Sequence, residues 1–450
     1  MTACAIEPAA GDASEPDNRP GTTPGGHAAA DDGEPFPGTP GLQGLPGLQG
    51  MPGIPGSPPR PGFTITANGC YAARLAGTGD ALYAERWTLD GPEPYAVPLP
   101  LAQPEEPGTL LLPLADGRVL VGRAVDGLRY TFSLLYPTGP DTGQLALGAV
   151  EAPAPGALTL LPPSPDGICA YAMCVGPDTT TLWLVAGGAF GPEQVAEIKG
   201  RCTGGVWLDR TGRMLALDRR LDDGPVKAVA IDLERGGEVT PLLQITERSH
   251  DRLLLADPDS GLLLIRSDAP SPGHDRLGWG VLGSVRPIRF PDCLRLDDAA
   301  VTPFAVQPGQ VLTPESCGVA LRIDTMTGSW LGMWRPSGRR MHQLAAPGGW
   351  LAGAGLWTAE GVLRLPYATA DAPCALAELV EPPEPAEQIG PMGPMGPMGL
   401  TAPGPGCGSA TGHPSAAPGP GLGPRICRPV PLGQAPLTNR GPAARRGTTH

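Results

Sequence analysis

Seven glycines punctuate the middle of this chain at almost even intervals: Gly69, Gly117, Gly167, Gly212, Gly261, Gly309 and Gly361, spaced 48, 50, 45, 49, 48 and 52 residues apart. Each ends a turn dipeptide (N-G, D-G, D-G, T-G, S-G, P-G or E-G) preceded by an apolar run. Glycine suits such a place because a tight hairpin demands a positive φ that other side chains resist. A repeat of about 40 to 50 residues, carrying several strands per unit, points to small sheets arrayed around an axis.

The runs around each turn support that reading. First runs are FTITA (63–67), GTLLLPLA (108–115), GALTLLPPS (156–164), GGVWLDR (204–210), RLLLADPD (252–259), AVTPFAVQ (300–307) and WLAGAGLWTA (350–359). Second runs include CYAARL, RVLVGR, ICAYAM, RMLALDR and LLLIRSD; third runs include ALYAERW, RYTFSLLY, TTLWLVAG, KAVAIDLERG, LGWGVLG and GVALRIDTMTG. Fourth runs, such as YAVPLP, QLALGAV, QVAEIKG, TPLLQIT and RPIRF, are shorter and more polar. A fade from apolar to polar is what radial packing predicts, since the outermost strand of each sheet meets water. The expected fold is an all-β β-propeller of seven blades over 63–382, with a β-sandwich array as the rival. Six or eight blades stay open, because the last unit has a third run at CALAELV (374–380) but no clear fourth.

The flanks differ in kind. The chain carries 66 Gly and 59 Pro, and these crowd its two ends, so 1–37 and 383–450 read as tails too poor in apolar residues to bury a core. Residues 38–58 form unbroken Gly-x-y triplets with Gly38, Gly41, Gly44, Gly47, Gly50, Gly53 and Gly56 in register, and Pro59 ends the run inside a segment of 38–62. A second run, GPM-GPM-GPM-G, sets Gly390, Gly393, Gly396 and Gly399. Both resemble collagen-like repeats, in which three polyproline II strands leave room only for glycine on their axis. Seven triplets are short for a triple helix, so an extended linker is the leading reading and a weak homotrimer through 38–58 the alternative.

The segments S-P-D-G at 164–167, I-C-A-Y-A-M after it and T-L-W-L-V further on resemble the TolB-type or WD40-like repeats of bacterial propellers, and A-V-A-I-D-L-E-R-G-G at 228–237 is a second echo. The resemblance implies a disc with a central channel and loop-built binding faces. Propellers of this kind serve partner binding, and some accompany peptidase domains. A G-x-S-x-G nucleophile turn and a phosphate-cradling G-x-x-x-x-G-K-[ST] loop are absent from this sequence.

Other candidates are weak. His250 and His274 recur as S-H-D-R and G-H-D-R and could pair as metal ligands or as acid and base; polar loop residues making local hydrogen bonds are the better reading. Asp257-Pro258-Asp259-Ser260-Gly261 looks like a shortened calcium loop but offers two carboxylates where calcium wants six to eight oxygens, so a hairpin turn is expected. Asp222-Asp223 and Asp297-Asp298 read as solvated. Trp87, Trp183, Trp207, Trp279, Trp330, Trp334, Trp350 and Trp357 are expected to wedge between blades, with a sugar-stacking face as the alternative. The cysteines, with no C-x-x-C among them, are read as small apolar core residues. No catalytic, cofactor-binding or metal residue is assigned, and no cofactor is expected. A net charge of −13 argues against nucleic acid. With neither a signal-like start nor a run long enough to span a bilayer, the chain is expected in the cytoplasm. The functional expectation is a non-enzymatic scaffold that binds a protein or small ligand on a loop face; the rivals are a structural trimer and a lyase or glycosidase working in a propeller groove.

Overall fold

The computed structural model describes residues 62–381; both collagen-like runs lie outside them. Within them the chain forms seven antiparallel sheets, five four-stranded and two three-stranded, each built from consecutive strands. These are the blades of a seven-bladed β-propeller. Their first strands are Phe63–Ile65, Leu110–Pro113, Leu158–Leu160, Arg201–Trp207, Asp251–Ala256, Ala300–Val306 and Leu356–Trp357. Neighbouring first strands lie against one another across blades 1–2, 2–3, 4–5, 5–6 and 6–7, which makes them the inner ring.

Period-2 alternation explains why the chain closes a ring of sheets. The buried apolar residues fall into seven clusters, and each cluster joins two neighbouring blades. In the second strand of blade 2, Val119 and Val121 pack toward blade 1 while Leu120 packs toward blade 3. In blade 5, Leu263 and Ile265 face blade 4, and Leu262 and Leu264 face blade 6. Second-strand segments such as Val119–Val121 and Leu262–Ile265 are therefore buried on both faces and read as unbroken apolar runs. Outer strands such as Glu193–Lys199 alternate exposed and buried residues, as the fade in polarity predicts.

All seven turn glycines take positive φ, from 72° to 90°. The turn at Gly167 shows why side chains are excluded there: its N–H donates to Ser164 O at 2.9 Å, and a Cβ would stand 2.5 Å from the Ala115 Cβ of blade 2.

The last seam carries the closure. Blade 7 is made of residues after 349, and blade 1 begins at Phe63, so among the described residues no strand from one end of the domain completes the sheet of the other. Side chains join them instead. Phe63 and Trp87 of blade 1 meet edge to face at 4.8 Å, in a cluster with Leu351, Ala354 and Leu376 of blade 7.

Two blades depart from the sequence expectation. In blade 6 the run GVALRIDTMTG supplies the second strand, Val319–Thr325, where a third was expected. The long connection between the first two strands, with its 3-10 turn at Pro314–Ser316, displaced the count by one strand. The third is Gly328–Trp334 and a fourth, His342–Leu344, follows. In blade 5 the fourth run RPIRF forms one bridge, with Trp279 and Arg289 exchanging hydrogen bonds of 2.9 and 3.0 Å. Pro287 and Pro291 flank it and donate no N–H, which ends the pairing there. Blade 7 stops at its third strand, Ala375–Val380, among the described residues.

Candidate functional site

Strand polarity gives the disc two different faces. The turns joining strands 1–2 and 3–4 lie on one face; the 2–3 turns and the blade-to-blade connections lie on the other.

The first face is tied together turn by turn. Arg86 donates to Gly117 O at 3.2 Å across blades 1–2, and Ala115 N to Gly167 O at 2.9 Å across blades 2–3. Gly212 sits against Ser164 across blades 3–4. Arg210 pairs with Asp259 across blades 4–5, and Asp259 accepts from Gly309 N at 3.0 Å across blades 5–6. Gln307 donates to Ala359 O at 3.1 Å across blades 6–7, and Leu356 rests on Gly69 to complete the circle. The Arg210 guanidinium beside Asp259 holds that carboxyl below its ordinary range, so it stays ionised. Beside these tied turns stand apolar side chains with no cover: Phe190 in the 3–4 turn of blade 3 is 96% exposed, Val285 beyond the third strand of blade 5 92%, and Leu312 in the 1–2 connection of blade 6 93%.

The sequence candidates take structural roles. Asp257 caps its own turn, accepting from Ser260 N at 3.0 Å and Ser260 Oγ at 2.6 Å, and Asp259 is engaged by Arg210. Both carboxylates of the shortened calcium loop are thereby used. His250 Nδ1 accepts from Val226 N at 3.1 Å, and the His250 backbone N–H donates to Asp268 Oδ1 at 2.7 Å; the His274 backbone N–H closes a turn on Ser271 O. These are the local loop hydrogen bonds expected of them. Asp222, Asp223, Asp297 and Asp298 are exposed. Trp87, Trp207, Trp279, Trp334 and Trp357 are buried in seam clusters, as wedges should be; Trp183 and Trp350 are partly buried at such clusters, and Trp330 is exposed. The seven described cysteines are free thiols, and Cys174, Cys202 and Cys317 are buried.

Buried carboxylates are engaged and spread around the ring. Glu85 binds Arg74 at 2.6 Å in blade 1 and Glu105 binds Arg123 at 2.5 Å in blade 2. Asp251, fully buried at the start of blade 5, accepts from Ser267 at 2.6 Å, Lys227 at 2.7 Å, Ile245 N at 2.9 Å and Ser249 at 3.0 Å. Asp218 accepts from Leu253 N at 2.9 Å and lies 3.8 Å from Arg252. Burial outweighs those two partners and pushes its carboxyl up to about 7.

The second face has a feature that the sequence did not reveal. A cavity of about 230 Å³ opens at the seam of blades 5 and 6, lined by Arg266, Arg276 and Arg295 together with Asp275, Leu277 and Leu294. It forms because blade 5 lacks a full fourth strand: the chain crosses instead through a 3-10 turn at Asp292–Leu294. Arg276 bonds Asp292 at 2.8 Å, and Arg295 stands 3.6 Å from Asp297. Arg266 donates to Val301 O at 3.0 Å. Its strand partner is Arg252, a like charge. Burial, with Arg252 adding to it, draws the Arg266 guanidinium below its usual value, against the opposing pull of Asp275. On the outer side of the same crossing a second hollow of about 360 Å³ holds Arg289, stacked 5.2 Å above Trp279. These residues come from scattered loops and strand ends, with no spacing that marks them in advance.

Among the described residues no helix is long and apolar enough to cross a membrane. No protein-family model matches the sequence, and no curated protein matches it. Among solved structures, the chain is similar to a prolyl endopeptidase studied for inter-domain dynamics in catalysis and specificity, at 13% identity and a TM-score of 0.39 over 70% of this chain and 46% of the other. It is similar to TolB from Acinetobacter baumannii at 11% identity and a TM-score of 0.36, over 69% of this chain and 80% of that one. Prolyl oligopeptidase B from Galerina marginata gives 11% and 0.39, over 70% and 46%. The chain thus spans under half the length of these two peptidases.

Proposed function

We propose that the propeller is a non-enzymatic interaction scaffold that takes a protein partner on the face of its 1–2 and 3–4 turns. The observation that supports this reading is the pairing of stiffness with exposure there. Turns tied blade to blade lose little freedom on binding, which lowers the ordering cost of association. Phe190, Val285 and Leu312 stand almost fully in water at the tips of that face, where an aromatic or branched side chain can enter a partner's pocket as an anchor. The rival reading, a groove enzyme, needs carboxylates gathered on one face, whereas the buried ones here are engaged separately in blades 1, 2, 4 and 5.

The test is in-cell crosslinking of the native chain against the triple variant Phe190→Ser, Val285→Ser and Leu312→Ser. The scaffold reading expects crosslinks to a partner to fall on the turn-face loops and to vanish in the variant. Crosslinks confined to the opposite face, or unchanged in the variant, contradict it.

The collagen-like arms in this proposal extend the scaffold or trimerise it weakly through residues 38–58. Sedimentation of the full chain against one starting at Pro61 distinguishes the two, and an unchanged monomer removes the trimer.

A further inference from the structure

We infer that the seam of blades 5 and 6 holds a binding site for a small oxyanion, a carboxylate or phosphoryl group, received by the guanidinium groups of Arg266, Arg276 and Arg295. The site lies at the end of the seam where the 2–3 turns emerge, and it uses none of the residues proposed above for partner docking.

Three observations converge on it. The first is charge. Three arginines line the cavity against one carboxylate, Asp275, in a protein whose net charge is −13. Arg276 and Arg295 have carboxylate neighbours, but those side chains are turned outward: Asp292 is 94% and Asp297 87% exposed. The second is Arg266 itself. Most of its side chain is withdrawn from water beside Arg252, and among the described residues it has no ion pair and a single hydrogen bond, to a neutral carbonyl. A guanidinium carries five donors in a planar fork, so most of its capacity is unused. Asp275 offsets part of that charge without pairing with it, and an oxyanion in the cavity would satisfy the remainder together with the open donors. The third is size. A volume of about 230 Å³ falls below the roughly 300–1,000 Å³ of pockets that take drug-sized molecules. Leu277 and Leu294 supply an apolar wall for a short carbon body. Arginine forks match planar carboxylate and tetrahedral phosphoryl oxygens alike, so this chemistry covers both groups.

The experiment is thermal unfolding of the full chain in sodium phosphate, in sodium succinate, and in sodium chloride at matched ionic strength. Phosphate stabilises many proteins by exclusion from their surface, so each rise is compared with that of Arg266→Gln in the same salt. Arg129→Gln, an exposed site in blade 2, serves as a second reference. The site predicts a rise in the native chain, beyond that of chloride, of roughly 2 °C at ten times the dissociation constant. Arg129→Gln keeps this rise and Arg266→Gln loses it. A phosphate-specific rise identifies a phosphoryl ligand, and a succinate-specific one a carboxylate. Should Arg266→Gln fail to fold, Arg295→Gln, whose parent side chain is 67% exposed, reads the same loss. Equal rises in native and variant chains, or none above chloride in the native chain, overturn the inference.

Discussion

Trp87→Ala should loosen the propeller at one place. Trp87 is fully buried in the cluster that joins blade 1 to blade 7, where Phe63 meets its ring edge-on and Arg74 lies 5.0 Å above it. Its indole N–H donates to Glu85 at 2.7 Å. Removing a buried tryptophan costs about 3–5 kcal/mol. Loss of the aromatic pair and the cation contact puts this one near the upper end, at about 5 kcal/mol. With an unfolding entropy near 2 cal/mol/K per residue, that is a fall in Tm of roughly 7 °C. Every other seam has a peptide connection across it, whereas blades 1 and 7 meet through side chains and loop contacts. The loss should therefore show first as local opening. Amide exchange is expected to rise in Tyr71–Ala76, Tyr83–Thr88 and Ala375–Val380 before it rises in blades 3 and 4. The equally buried Trp334 between blades 5 and 6 gives the comparison: Trp334→Ala should lower Tm similarly without that pattern. A loss under about 2 kcal/mol, or exchange rising evenly around the ring, would refute the reasoning.

Gly167→Ala is expected to destabilise by about 2–4 kcal/mol, combining left-handed strain with a Cβ pressed onto Ala115. Gly156→Ala shares the φ of +72° but meets nothing within 4 Å, so it should lose only about 1–2 kcal/mol; equal losses in urea unfolding would dismiss the steric part. Asp218 titrates near 7 in the folded chain against an ordinary 3.8, so the native state holds its proton more tightly and this group's contribution is lost as pH rises from about 4 through 7. Asp218→Asn lacks that decline, so its stability relative to the native chain should grow between pH 5 and 8; a constant difference would contradict the assignment. Burial pushes the thiols of Cys169 and Cys202 up to about 11 and that of Cys374 to about 12. Peptide mass mapping after a short exposure to a soluble disulfide reagent at pH 7.5 should find these three unmodified while the denatured chain reacts fully. Fast labelling of Cys374 in the native chain would show that the seam it lines is open.

The blade pattern was legible because one residue type had no substitute. A positive φ recurring in every inner hairpin leaves glycine at a visible period, and runs such as VLV and LLLI show strands buried on both faces. Blade 6 hides its strand order because its inner hairpin is stretched by the 307–318 connection, which puts Val319–Thr325 where the period leads one to expect a third strand. The tryptophans were readable as wedges by volume and position. The arginine cavity was not, because Arg266 is the last residue but one of a strand, Arg276 begins the next and Arg295 follows a proline-bounded crossing. Only the missing fourth strand of blade 5 brings them together, and a deficit of pairing leaves no periodic trace. The exposed Phe190, Val285 and Leu312 were equally silent, since an apolar residue in a turn carries no sign of whether it is covered.

The account depends on sheets that are each too thin to bury their own two faces and therefore close into a ring. A high-resolution electron-density map viewed down the ring axis tests this most directly. It should show seven radial sheets, with Leu356 seated on the Gly69 turn where the last blade meets the first. An open arc, a different number of sheets, or a strand shared between the first and last blades would contradict it.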